Sequence, residues 1–285
     1  MKKIILMADS AMDLPQEIID EEKIEIVPFV ITIGGKEYRD GVNITTAELY
    51  KLVEQHKEMP KTAAITPFEW EKVFKKHLDN GDDVLLLTIG KEISSTYQYA
   101  YLASQSFPKE RIEVIDSQAL SGSIALIMLK AIRFRKEGKS LAEIKQLLAE
   151  IIPKVQTQFV LPTLEYLHKG GRCSALTRFV GTVLSLKLQI KMINGVMDVS
   201  KKSVGKMTRA VDVMLADFFK LAEEDKLDLE FVFITHSLAN KMAVYVKEKV
   251  LAANIPIKNL YESYASTTIS THCGPGTIGI LYIEK

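Results

Sequence analysis

The chain has few cysteines and almost no net charge. It contains two cysteines, Cys173 and Cys273, in 285 residues, and its formal net charge is +1. Two cysteines without a framework spacing exclude a disulfide-stapled fold and fit a reducing compartment. A net charge near zero provides no general attraction to nucleic acid or to an anionic membrane. We therefore expect no nucleic-acid partner.

The sequence also lacks a long hydrophobic run near its start. After Met1-Lys2-Lys3 only the five apolar residues 4–8 precede Asp9, which is too short for a signal peptide or a membrane span. Hydrophobic content of 47% and charged content of 26% are ordinary for a globular protein. These features predict a cytoplasmic protein without stable membrane insertion, and the length favours two domains.

The first half of the chain alternates short apolar segments with helical patterns. This alternation predicts an α/β fold with a largely parallel sheet and helices on both faces. Ligands of such sheets lie beyond the carboxyl ends of the strands. Strands are predicted at 4–8, 24–31, 84–88 and 112–115, and helices at 45–56, 67–80, 95–106 and 119–136.

The second half has a different pattern. Asn194-Gly195 between the apolar segments 188–193 and 196–200 is typical of a two-residue β-hairpin. A hairpin cannot belong to a purely parallel sheet. We therefore predict a parallel-sheet α/β domain over residues 1–155 and a mixed-sheet α/β domain with helices over 156–285, with a ligand site between them.

A histidine stands among glycines and a proline near the C-terminus, in Ser270-Thr271-His272-Cys273-Gly274-Pro275-Gly276-Thr277-Ile278-Gly279. Glycine lets the backbone approach a ligand closely, and proline stiffens the turn. Such a loop is suited to placing an imidazole and several peptide N–H groups around a small anion. The same residues are equally typical of an ordinary turn with a histidine on its rim.

Five segments together carry a family resemblance. In chain order they are residues 9–15, 61–64, 93–98, 164–172 and 270–279, and the segment 114–121 adds to them. None is specific alone, but in this order the set resembles the DegV family of bacterial fatty-acid-binding proteins from Ile4 to Ile283. The resemblance implies a two-domain α/β protein that holds one long-chain fatty acid in a buried tunnel, without a cofactor, a metal or catalytic residues.

The resemblance also implies the residues that hold the carboxylate between the domains. Carried over by position, these are Thr62, Ser94 and His272. It further implies that the bound acid is presented to a separate fatty-acid kinase, which makes an acyl-phosphate for phospholipid synthesis. Several positions depart from the family pattern. Ala63 stands where a second hydroxyl is expected, Ser95 replaces a glycine, and Ile89-Gly90 and Gly122-Ser123 also differ from it.

Three further points stay open on the sequence. Arg172 is suited to reaching an anion or gating a cleft, but also to capping a helix or forming a surface ion pair. The basic stretch 201–209 is typical of a solvated face and, less often, of a docking surface. The apolar segment 124–129 is more typical of a core helix than of a tunnel lining.

The residue types suit a fatty acid, whose two ends need different environments. The alkyl tail supplies affinity by burial, and hydroxyl and imidazole donors offset the cost of burying the carboxylate. The alternative is a serine-dependent acyl hydrolase or thioesterase using Ser94 and His272. That chemistry needs a base oriented by a third group and usually a Gly-x-Ser-x-Gly elbow, which the sequence around Ser94 lacks.

Overall fold

Strands and helices alternate along the chain in the computed structural model, which describes residues 3–172 and 186–285. Cys173 lies outside these residues. In chain order the strands are β1 (Ile4–Asp9), β2 (Glu25–Val27), β3 (Val30–Ile33), β4 (Lys36–Arg39), β5 (Lys61–Ala63), β6 (Asp83–Thr88), β7 (Ile112–Asp116), β8 (Val155–Leu161), β9 (Leu186–Ile193), β10 (Val196–Val204), β11 (Leu227–His236), β12 (Asn259–Tyr264) and β13 (Ile278–Glu284).

The α-helices fill the segments between these strands. They are α1 (Gln16–Glu22), α2 (Thr46–His56), α3 (Pro67–Asp79), α4 (Thr96–Ser104), α5 (Gly122–Lys136), α6 (Leu141–Ile151), α7 (Glu165–Lys169), α8 (Met207–Glu223), α9 (Asn240–Ala252) and α10 (Thr267–Cys273). Local chemistry explains several of the starts. Thr45 and Glu48 form a capping box at α2, and Pro67 occupies the first turn of α3.

The predicted parallel sheet is present in the first half. It has the order β2-β1-β6-β7, with parallel pairing throughout. Its central strands are apolar along their length, as expected where both faces are covered. Because the strands are parallel, Asp9, Thr88 and Asp116 all end at one edge of the sheet. This edge faces the candidate site.

One predicted strand is in fact two strands in different sheets. The segment 24–31 divides into β2, which joins the parallel sheet, and β3, which joins a three-stranded antiparallel sheet of order β4-β3-β5. Pro28 lies at the division, where its missing N–H and fixed φ interrupt strand pairing. Strands β4 and β5 are not predicted from the sequence. Thr62 lies in the middle of β5.

The mixed sheet of the second half is also confirmed. Its order is β10-β9-β8-β13-β11-β12, with β11 and β12 parallel and the other neighbours antiparallel. The predicted hairpin joins β9 to β10, and Ile193 pairs with Val196. Asn194 and Gly195 have φ of 51° and 80°, the positive values that a type I′ turn requires. The protein is therefore α/β with a parallel and a mixed sheet.

Helix α5 joins the two sheets into one structure. Its side chains share a hydrophobic cluster with Leu6 of β1 and Phe233 of β11, and Ile127 is fully buried. At its outer side the buried ammonium of Lys130 contacts Asp228 and Glu230 near the start of β11. Because this core continues from one sheet to the other, the division at residues 155 and 156 stays a prediction.

Candidate functional site

A cavity lies where the carboxyl edge of the parallel sheet meets the mixed sheet. About 790 Å³ of space, open solvent included, lies between its lining atoms. Most of the lining is apolar. It includes Phe29, Ile93, Leu120, Phe159, Met197 and Ile269.

The apolar lining comes from both sides of the cavity. Ile93, Leu120 and Ile269 are only partly buried, although they pack against two separate hydrophobic clusters. Their remaining exposed surface is explained by the cavity between those clusters. The apolar residues 124–129 of α5 are not part of the lining. This supports the interpretation that α5 is a core helix.

Thr62, Ser94 and His272 all line this cavity. They come from the small antiparallel sheet, from the turn before α4 and from α10. The Thr62 hydroxyl and His272 Nε2 are 2.9 Å apart. The structure therefore brings together the three residues that the resemblance implies. Their part in binding a carboxylate stays a prediction.

Strand alternation decides which hydroxyl of the 61–63 segment reaches the cavity. Thr62 is half-buried, whereas Lys61 and Ala63 are exposed. Successive side chains of a strand point to opposite faces, so Ala63 lies on the outer face and is not part of the lining. The departure from the family pattern at this position therefore leaves the cavity wall unchanged.

Ser94 lies in the turn that precedes α4. Its hydroxyl oxygen accepts a hydrogen bond from the backbone N–H of Thr96 at 3.3 Å, and it lies 2.9 Å from the Thr96 hydroxyl. Ser94 thus forms a local serine turn just before α4, and it also lines the cavity. Ser95, another departure from the family pattern, is exposed and lies outside the lining.

His272 lies in the last turn of α10 rather than in a loop, so the predicted loop begins later than expected. The helix starts at the cap residue Ser266 and stops at Gly274, where φ is +76°. A Cβ at Gly274 would lie 2.6 Å from the Tyr166 ring. A Cβ at Gly170 would lie 2.5 Å from His272 Nδ1. Glycine at these two positions allows the close packing of α7 against α10.

The His272 imidazole is neutral at physiological pH. Burial, and secondly the nearby positive charge of Arg172, lower its pKa to about 3. Its Nδ1 is buried without a hydrogen-bond partner. When Nε2 carries the proton it donates to the Thr62 oxygen, and the Thr62 hydroxyl hydrogen is then free to donate into the cavity. Such a pair presents hydrogen-bond donors without a charge.

Arg172 supplies the positive charge beside this pair. It is half-buried, it lines the cavity, and it donates to the carbonyl oxygen of Gly170 at 2.7 Å. Within residues 3–172 and 186–285 it has no carboxylate partner. A guanidinium stays charged in proteins, so a partly buried one without a counter-ion favours an anion. The sequence alone is compatible with this role and with a cap or a surface ion pair.

A second, more polar pocket adjoins the cavity. The two share Ile93, Arg172 and Met197, and the outer pocket adds Glu92 and Gly195 of the hairpin turn. Arg172 therefore lies between an apolar interior and an outer polar opening. The basic stretch 201–209 is elsewhere: Lys201 pairs with Asp217, and Arg209 is exposed.

The comparisons with known proteins show the family of this chain. The family model described as "Uncharacterised protein, DegV family" matches residues 3–285. The chain belongs to the DegV family. A DegV domain-containing protein of Caldanaerobacter subterraneus is 34% identical over the whole length of both chains.

Solved DegV structures share the fold. A DegV family protein from Thermus thermophilus, described by its fatty acid binding, is 29% identical with a TM-score of 0.91, covering 99% of this chain and 100% of its own. A protein from Eubacterium ventriosum, described as binding stearic acid, is 25% identical with a TM-score of 0.89, covering 100% and 99%.

The geometry lends no support to the hydrolase alternative. Ser94 contacts Thr96 rather than His272, and the His272 ring contacts Thr62 and has no carboxylate partner on its other nitrogen. A serine nucleophile needs its base within hydrogen-bond reach and a third group that orients the base. Over the described part of the chain, no three His, Cys, Asp or Glu side chains form a metal site. None of its helices is long and apolar enough to cross a bilayer.

Proposed function

We propose that this DegV protein binds one long-chain fatty acid, with the alkyl tail in the apolar cavity and the carboxylate at Thr62, Ser94, His272 and Arg172. The observation that carries this proposal is the half-buried Arg172 without a carboxylate partner among the described residues, beside a neutral imidazole at one end of an apolar cavity. An apolar tail with a single anionic head matches this combination.

The two ends of the ligand contribute differently to binding. Burying roughly fifteen methylenes at about 0.8 kcal/mol each offers on the order of 12 kcal/mol before costs. Association and ordering consume several kcal/mol of this. Each charged hydrogen bond at the head contributes about 1.5–3 kcal/mol net. The tail therefore determines affinity, and the head group determines orientation and the choice of acid over alcohol.

The bound acid is presented to a fatty-acid kinase, which phosphorylates the carboxylate for phospholipid synthesis in the cytoplasm. The family resemblance supports this step, and so does the position of Arg172 at the polar outer pocket, which keeps the head group near the surface. The test adds a bacterial fatty-acid kinase and ATP to the acid-loaded protein. ATP consumption that requires the loaded protein is expected, and equal consumption with free acid alone contradicts the presenting role.

Extraction of the purified protein with organic solvent, followed by mass spectrometry, tests the ligand directly. A long-chain acid at about one per chain is expected. The affinities of the delipidated protein for stearic acid and for 1-octadecanol then separate the contribution of the head group from that of the alkyl tail. Ser94→Ala should lower the affinity for stearic acid by about tenfold, the size of one lost charged hydrogen bond. Ser95→Ala, at the exposed neighbour outside the cavity, is the matched control. Equal affinity of the wild type for acid and alcohol would falsify the proposal.

A further inference from the structure

Helix α10, which carries His272, begins at two buried carboxyl groups from the first half of the chain. Asp13 Oδ1 accepts from the backbone N–H of Ser266 at 2.9 Å. Asp40 accepts from the next two N–H groups of the helix start, those of Thr267 at 2.9 Å and Thr268 at 3.0 Å. The N–H groups of a first helical turn have no partner inside their helix, so these side chains supply what the helix itself cannot.

The last of these N–H groups is satisfied within the helix start itself. The Ser266 hydroxyl accepts from the backbone N–H of Ile269 at 3.3 Å. All four donors from 266 to 269 therefore have acceptors, and three of the four bonds go to Asp13 and Asp40. The start of α10 is thus tied to residues more than 220 positions away in the chain.

The two carboxyl groups are themselves held in place. Asp13 is 5% exposed and accepts from the hydroxyl of Ser121, which lines the cavity. Asp40 is 3% exposed and accepts from the hydroxyl of Ser10 at 2.8 Å. Asp13 follows β1 at the carboxyl edge of the parallel sheet, whereas Asp40 follows β4 of the small antiparallel sheet and is tied to that edge through Ser10. Both sheets therefore fix where α10 begins.

The position of the helix start determines the position of His272. The helix rises about 1.5 Å per residue, so His272 lies roughly 6–7.5 Å along the axis from the N–H groups that Asp40 binds. A short helix moves as a unit, and a shift or tilt at its start reaches His272. The 2.9 Å contact between His272 and Thr62 has little tolerance for such a shift or tilt, because N–H···O bonds are usually about 2.7–3.2 Å long and weaken steeply when the angle at the hydrogen falls below about 120°.

We propose that Asp13 and Asp40 are positioning residues of the head-group site, which hold α10 by its start and thereby keep His272 against Thr62. This inference rests on the proposed function and extends it to the choice of acid over alcohol. The hydrogen bonds of both carboxyl groups go to the start of α10 and to serine hydroxyls rather than to the Thr62–His272 pair, so each acts through the helix.

The substitution Asp40→Asn isolates this role with little change of shape. Each carboxyl oxygen of Asp40 accepts a hydrogen bond from a backbone N–H of the helix start. In the asparagine variant one oxygen is replaced by an NH₂ group, which cannot accept a hydrogen bond from that N–H. One bond to the helix start is lost in every orientation. Asp9→Asn is the matched control. Asp9 is 0% exposed and also binds two backbone N–H groups, but these belong to Ile89 and Ala11 and not to α10.

The test compares the dissociation constants of stearic acid and 1-octadecanol in the full-length protein. Asp40→Asn should weaken stearic acid by about tenfold, the size of one lost charged hydrogen bond, with octadecanol unchanged. Asp9→Asn should leave the ratio of acid to alcohol affinity as in the wild type. A purely structural role of Asp40 would weaken acid and alcohol equally, and this result would overturn the inference.

A double-mutant cycle and a milder variant keep the test decisive. Because Asp40 acts through His272, Asp40→Asn should add nothing to the loss of acid affinity in a His272→Ala background. Ser266→Ala removes the acceptor of the Ile269 N–H and the side-chain hydrogen bond of Ser266 to Asp13, and it should lower the acid-to-alcohol ratio in the same sense by a few-fold. Additive losses in the cycle, or an unchanged ratio in Ser266→Ala, would contradict the positioning role.

The outcomes separate the two proposals. A wild-type protein that binds acid and alcohol with the same affinity overturns the proposed function. A wild type that prefers the acid, with Asp40→Asn retaining that preference, overturns only the role of the positioning residues.

Discussion

The imidazole of His272 and the hydroxyl of Thr62 lie 2.9 Å apart although 210 positions separate them in the chain. One comes from the last turn of α10 and the other from an outer strand of the small antiparallel sheet. Alone, either side chain would be an unpaired polar group in a largely apolar cavity. Together they form a neutral hydrogen-bonding pair, and Arg172 adds a positive charge beside them.

Removing the charge of Arg172 should weaken acid binding selectively. Arg172→Gln keeps much of the side-chain length but loses the guanidinium, so we expect about a 10- to 100-fold loss of stearic acid affinity, the size of a charged hydrogen bond. Octadecanol should bind as before. Lys169→Gln, at the exposed end of α7, is the control. Parallel losses for acid and alcohol in Arg172→Gln would show that the residue only shapes the opening.

His272 should remain neutral across the range from pH 5 to pH 8. Burial and then the charge of Arg172 lower its pKa to about 3, whereas an imidazole in an unfolded chain titrates near 6.5. The assigned imidazole resonances of His272 in the folded protein should therefore stay constant over this range, and the urea-unfolded protein should show a normal titration. A midpoint between pH 6 and pH 7 in the folded protein contradicts a neutral donor at the site.

A side chain at position 170 should clash sterically with its neighbours. Its φ is ordinary for any residue, but a Cβ would lie 2.5 Å from His272 Nδ1 and 2.9 Å from the Tyr166 carbonyl oxygen. Gly170→Ala should therefore displace the imidazole from Thr62 and reduce stearic acid affinity, in a protein that still folds. Lys169→Ala, one residue earlier and exposed, should bind as the wild type does. A Gly170→Ala protein with full acid affinity would mean that α7 can move away without cost.

The stability of the protein should depend on the protonation of Asp13. Burial raises its pKa to about 7, although hydrogen bonds from Ser121 and Ser266 oppose the shift. Between about pH 4 and pH 7 the folded state holds a proton that the unfolded state has lost, so this group's contribution to the free energy of unfolding falls as pH rises. Above about pH 7 both states are ionised and the contribution is constant.

The comparison with Asp13→Asn isolates that contribution. The variant lacks the titrating group, so its free energy of unfolding minus that of the wild type should increase from pH 5 to pH 7 and then level off. Urea unfolding at several pH values, with both proteins in the same buffers, measures the difference. A difference that stays constant or decreases over this interval would show that Asp13 is ionised throughout.

Much of the fold follows from local patterns. Apolar runs predict β1, β6 and β7, the Asn-Gly pair predicts the β9–β10 hairpin, and capping residues mark the starts of α2 and α3. The split of 24–31 into β2 and β3 was missed because both halves read as one extended apolar segment. The short strands β4 and β5 were missed because three or four residues carry too little periodicity, and their pairing partner β3 defines them.

Some residues of the candidate site were identified from the sequence, and others only from the structure. Thr62, Ser94 and His272 were identified by motifs, and Arg172 was noticed but left open. Asp13 and Asp40 were not identified, because a buried acid after a strand has the same local signature as an ordinary cap. No local pattern indicates that their carboxyl oxygens accept hydrogen bonds from the start of a helix more than 220 residues later in the chain.

The sequence by itself determined the α/β fold class, because apolar periodicity, turn residues and capping chemistry act over a few neighbouring residues and can be recognised there. Only the tertiary structure decided which polar groups lose their water and which of them meet. Burial and distance set the neutral state of His272, the missing counter-ion of Arg172 among the described residues and the attachment of α10 to Asp13 and Asp40. These are properties of packing between distant segments, and no stretch of the chain contains them alone.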